Sequence, residues 1–156
     1  MYITVFGLPV HPLIVHATVV VVPVAALTVL LSVLWSRFRD WIGVGVLVLP
    51  ALTLILVPLT TQSGEQLEHK LSHSALIERH AHLADSLLPW VIALLVGAAG
   101  AYLWRPGAPR ITRGRVMPTW LRIVVLLVVV VAAAGTLVDV VLIGHSGAAA
   151  AWSDVG

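Results

Sequence analysis

Apolar residues run almost unbroken through four stretches of this chain, and polar residues collect in the three connections between them. A hydrocarbon core about 30 Å thick is crossed by about 20 apolar residues in a helix. Four spans meet that length, at about 12–34, 41–61, 85–104 and 120–144. The pattern predicts an all-α integral membrane four-helix bundle running up-down-up-down. The fourth stretch, "WLRIVVLLVVVVAAAGTLVDVVLIG", is rich enough in valine to suggest a strand. Helix is the reading here, because an open strand leaves its backbone unsatisfied in lipid. In the second connection, Ser63 is followed three residues later by Gln66, the spacing of a capping box. That spacing predicts a short surface helix from about Gly64 to Leu71, broken by "SHS", with a new helix from near Ala75 leading into the third span. "VGAAGAY" offers small residues for close helix contact. Pro23, Pro50, Pro58 and Pro89 bend the spans and open space between them.

Composition agrees with lipid as the solvent. Hydrophobic residues make up 60% of the 156 and charged residues 10%, where a soluble domain carries about 25% charge. The length suits a single transmembrane domain over residues 1–156. Cysteine is absent, which excludes disulfides, thiolate metal sites and iron–sulfur ligation. The ten residues before His11 lack the basic start and cleavage site of a signal peptide, so no processing is expected.

Charge then orients the spans. Arg37 and Arg39 lie in the first connection, and Arg105, Arg110, Arg113, Arg115 and Arg122 in or beside the third. The second connection holds only Lys70 and Arg79, and the tails hold neither residue type. Positive charge marks the cytoplasmic side. The reading is a multi-pass protein of the inner (cytoplasmic) membrane with both termini and the second connection outside. Membrane topology accounts for the arginines, so the net charge of +2 does not point to nucleic acid. Trp35, Trp41, Trp90, Trp104 and Trp120 fall near span ends, where indole rings favour the interface.

All seven histidines fall at or near the outer side of this arrangement. His11 and His16 open the first span in "HPLIVH", His69, His73, His80 and His82 lie in the second connection, and His145 follows the fourth span. His11 and His16 are five residues apart, about 140° around a helix, so one small site admits only one of them from the same helix. His16, a turn inside the span, is the candidate inward group, and His11 the rim group. His80 shares a stripe with Leu83 and Leu87, a stripe that suits either the core or the lipid side, and is the candidate from the third span. His145 in "GHSG" is its chief rival, because glycine lets backbone approach closely. His69 and His73 are four apart, a weak two-residue metal signal, and they and His82 read better as solvated residues. Asp139 lies in the last third of the fourth span, where a carboxylate faces the bundle interior and finds a partner. Thr60, Thr61 and Gln62 are the candidates. Proton relay and simple helix pinning remain equal readings of Asp139. Asp85 marks the outer interface.

"GLPVHPLIVHATVVVVP", "GEQL", "ERHAHLADSLLPW" and the terminal "GHSGAAAAW" together resemble a bacterial membrane-protein family catalogued as domain of unknown function 2231, most closely its actinobacterial members. The likeness extends from Gly7 to Trp152, and the family has a glycine where this chain has Ala84. The resemblance implies four spans and no established activity, and some relatives are joined to redox domains. It puts His11, His16, His80 and His145 at motif positions.

Three functions compete. Two histidines from different helices suit the axial positions of haem b, and the first and third spans of such a bundle lie across its diagonal. His16 and His80 are the expected axial pair, with His11 and His145 at the rim. Such a protein carries electrons between the quinone pool and a periplasmic or other extracytoplasmic redox partner, and is a redox subunit rather than a stand-alone enzyme. Imidazole clusters also suit a transition metal ion such as copper or zinc. In the third reading the chain binds no cofactor and is an accessory subunit of a larger membrane complex or a homo-oligomer.

Overall fold

Near-continuous apolar sequence leaves helix as the only way to pair every backbone group in lipid, and helices dominate the computed structural model, which describes residues 4–5, 8–70, 74–103 and 117–153. Thr4–Val5 (β1) and Leu8–Pro9 (β2) form a two-residue antiparallel ribbon, with Thr4 opposite Pro9 and Val5 opposite Leu8. Among the described residues five helices follow: Val10–Leu34 (α1), Ser36–Ile42 (α2), Gly45–Glu68 (α3), Ala75–Leu103 (α4) and Thr119–Ala151 (α5). All but α2 are long and apolar enough to cross a membrane. The chain is a four-helix membrane bundle.

The expected surface helix after the second span is corrected. α3 runs unbroken to Glu68. Ser63 is interior to it and donates its hydroxyl to the Thr60 carbonyl at 2.9 Å instead of capping a new helix. Glu65, Gln66, Leu67 and Glu68 are good helix formers, so the helix simply continues. The one short helix among the described residues, α2, lies between the first two spans. Its Phe38 lies between Trp35 and Trp41, stacked on the first with centroids 6.3 Å apart and tilted against the second at 5.7 Å. Gly43 then turns the chain into α3 at φ 55°, a conformation few other residues adopt.

α1 packs on α3 and α5, and α4 packs on the same two helices, so α1 and α4 face each other across the diagonal. The centre is built from Ala25, Ala26, Val29, Val46, Leu94 and Ala98 with their neighbours. Lipid tails are as apolar as these side chains, so helix association rests on close packing rather than on burial from water. Glycine supplies the closeness. A Cβ at Gly97 would stand 2.6 Å from Val129, and one at Gly135 would stand 2.5 Å from the Trp90 ring. Trp90 is therefore wedged against α5 in mid-helix and is not an interfacial anchor, a second correction. Trp35, Trp41 and Trp120 are exposed, and Trp104 lies outside the described residues.

A second buried cluster, Val22, Val57, Leu87 and Val91, fills the bundle toward the end where α1 and α4 begin and α3 and α5 finish. That end carries the histidines. Arg37, Arg39 and Arg122 stand at the opposite end, while Arg105, Arg110, Arg113 and Arg115 lie outside the described residues.

Candidate functional site

The inward stripe of α1 passes through Thr18, Val22, Ala25 and Val29, all buried. Seven residues before Thr18 is His11, two helical turns earlier on the same face. His16 is only two residues from Thr18, about 200° away around the helix. The structure accordingly reverses the expected roles. His11 is half-buried and turned onto α3, whereas His16 is exposed, with its Nδ1 on the Pro12 carbonyl of its own helix. His80 holds the equivalent place on α4, seven residues before the buried Leu87, and is half-buried against α5.

His11 and His80 make the same contacts. Nδ1 of His11 lies 3.1 Å from the Thr60 carbonyl oxygen and 3.0 Å from Ser63 Oγ. Nδ1 of His80 lies 3.1 Å from the Ile143 carbonyl oxygen and 3.0 Å from Ser146 Oγ. Each serine hydroxyl donates to that same carbonyl at 2.9 Å. Carbonyl and hydroxyl oxygens therefore both act as acceptors toward the ring, and Nδ1 carries the hydrogen. In a neutral imidazole the lone pair then sits on Nε2. Among the described residues Nε2 of neither ring has a hydrogen-bond partner.

Glycine follows each serine. A Cβ at Gly64 would meet Cε1 of His11 at 3.0 Å, and one at Gly147 would meet Cε1 of His80 at 3.0 Å. Both rings thus pack closely on a Ser-Gly step of the neighbouring helix. Sequence reasoning missed Ser63 and Ser146. The signal available was a buried threonine ten residues ahead of Ser-Gly, Thr53 in one helix and Thr136 in the other.

One layer deeper, Thr18 and Thr60 join their hydroxyls at 2.7 Å across α1 and α3, and Ser86 lies 2.8 Å from Asp139 Oδ2 across α4 and α5. Asp139 is buried as expected. Its partner is Ser86, not Thr60, Thr61 or Gln62, because α5 packs that face on α4. His145 is exposed, next to the inward Ser146, so a ligand role at this site would need it to turn around. His69, His82 and Asp85 are exposed, and His73 lies outside the described residues. Among the described residues no group of three or more His, Cys, Asp or Glu side chains is arranged to hold a metal ion.

The family model for predicted membrane proteins of the DUF2231 type matches residues 7–156. The chain belongs to this family. The DUF2231 match takes in every residue of the histidine end named above, from His11 to Gly147. No curated protein and no solved structure matches the chain.

Proposed function

We propose that this DUF2231 protein is a membrane b-type haem protein whose iron is held between His11 and His80, passing electrons between the quinol pool and an extracytoplasmic carrier. One observation carries the reading: two imidazoles from diagonal helices stand at the same end of the bundle, each held at Nδ1 and each without a described partner at Nε2. Metal-bound histidines hold their second nitrogen in this manner, on a carbonyl or other acceptor. The donor set also discriminates. Zinc takes three or four protein ligands, whereas two imidazoles complete a porphyrin iron, and no third described donor converges here. Haem would supply a one-electron couple. The chain's own residues would orient the ligands through Ser63 and Ser146, and exclude water from below through Val22, Val57, Leu87 and Val91.

The arginine asymmetry supports an outer position for the site, opposite Arg37, Arg39 and Arg122. An absorption spectrum of protein purified in mild detergent, before and after dithionite, tests the reading. Sharp reduced α and β bands with a Soret maximum are expected. A colourless protein after haem-supplemented expression would overturn it, and elemental analysis would then separate a bound copper or zinc ion from a cofactor-free accessory subunit.

A further inference from the structure

The agreement between His11 and His80 extends far beyond the two rings. His80 follows His11 by 69 positions, and the same shift carries Thr18, Val22, Ala25, Thr28 and Val29 onto Leu87, Val91, Leu94, Gly97 and Ala98. Those five are all the buried residues of α4, and their counterparts in α1 are buried too. Ser146 follows Ser63 by 83 positions, and that shift carries Val46, Pro50 and Thr53 onto Val129, Ala133 and Thr136, again all buried. Val57 falls on Val140, which packs on the same cluster as Val57 itself. Exchanging α1 with α4 and α3 with α5 also leaves the pattern of helix contacts unchanged. α1 and α4 both begin at the histidine end, so the two halves run in the same direction, related by a pseudo-two-fold axis along the bundle.

We infer that the chain is an internal duplication of a two-helix unit, and that Ser63 and Ser146 are equivalent positioning residues, each fixing one histidine with its Nε2 lone pair free for a ligand on the shared axis. Each half-site is a histidine on the first helix of its unit and a Ser-Gly step near the end of the second. The serine, its own hydrogen committed to the carbonyl one turn back, presents only lone pairs to Nδ1. A ring with its hydrogen on Nε2 would set its Nδ1 lone pair against two acceptors at 3.0 and 3.1 Å, which is repulsive. The glycine admits the ring. The halves have diverged one layer down, where the first has two threonines and the second Ser86 with Asp139. The ligand's identity rests on the haem reading, whereas the tautomers and the equivalence of the halves do not.

The full-length protein, labelled with ¹⁵N-histidine and expressed without added haem, separates the two. The expected spectrum has His11 and His80 fixed in the Nδ1–H form while exposed rings exchange between tautomers. Ser63→Ala should loosen His11 alone and Ser146→Ala should loosen His80 alone, each ring then held only by its backbone carbonyl, and Ser→Thr, which keeps the hydroxyl, should restore the parent spectrum. In haem-loaded protein each alanine variant should raise the midpoint potential, by similar amounts, because a ring that loses an Nδ1–H acceptor becomes a poorer donor to ferric iron. An Nε2–H form at either ring, or shifts of opposite sign, would overturn the inference. A colourless protein with both rings in the Nδ1–H form would uphold it and sink only the haem reading.

Discussion

Ser86 Oγ lies 2.8 Å from Asp139 Oδ2 and joins α4 to α5 in the layer where Thr18 and Thr60 join α1 to α3. Polar bonds between membrane helices average about 0.6 kcal/mol and reach about 1.7. Stranding one partner costs more, about 1–3 kcal/mol. Ser86→Ala, which leaves the buried carboxyl group alone, should therefore destabilise the bundle more than Asp139→Leu, which removes it. The double variant should recover most of the difference. Asp85→Asn, at an exposed site, should stay within about 0.5 kcal/mol of the parent. Unfolding titrations in mixed micelles measure all four. Equal losses in Ser86→Ala and Asp85→Asn would show that the bond holds nothing.

Gly135 gives way to the Trp90 ring, and Gly144 faces open space. Gly135→Ala should cost about 1–3 kcal/mol by overpacking, with Gly144→Ala close to neutral. Restoring room with Trp90→Leu in the Gly135→Ala background should regain part of the loss. The same unfolding titration reads this, and a neutral Gly135→Ala would contradict the packing of α4 on α5.

Orientation has its own test. Glu78 is exposed at the histidine end and Ser36 at the opposite end. Glu78→Cys should react with an impermeant thiol reagent on intact cells, and Ser36→Cys should react only after lysis. The reverse pattern would move the site to the cytoplasmic side.

The fold was legible because only span length and apolarity were needed to count four helices. Facing was not. α1 is apolar all the way round, since its lipid side is as hydrophobic as its core side, so nothing on that helix told His11 from His16 until Thr18 and Val22 were seen to be buried. At the entrance to α4 the sequence showed that His80, Leu83 and Leu87 share a stripe but not whether it faces core or lipid; the structure has Arg79, His82 and Asp85 exposed and Leu87 buried, which makes the stripe inward. Ser63 misled, because its capping-box spacing is also the spacing of an ordinary helix interior. Ser146 was hidden beside the more conspicuous His145.

The pairing of His11 with His80 is tested most directly by the reduced-minus-oxidised spectra of four variants made side by side: His11→Ala, His80→Ala, His16→Ala and His145→Ala. The account predicts that His11→Ala and His80→Ala lose the sharp reduced bands or turn high-spin, while His16→Ala and His145→Ala keep the parent spectrum. Loss of the bands in His16→Ala with His11→Ala unchanged would contradict it.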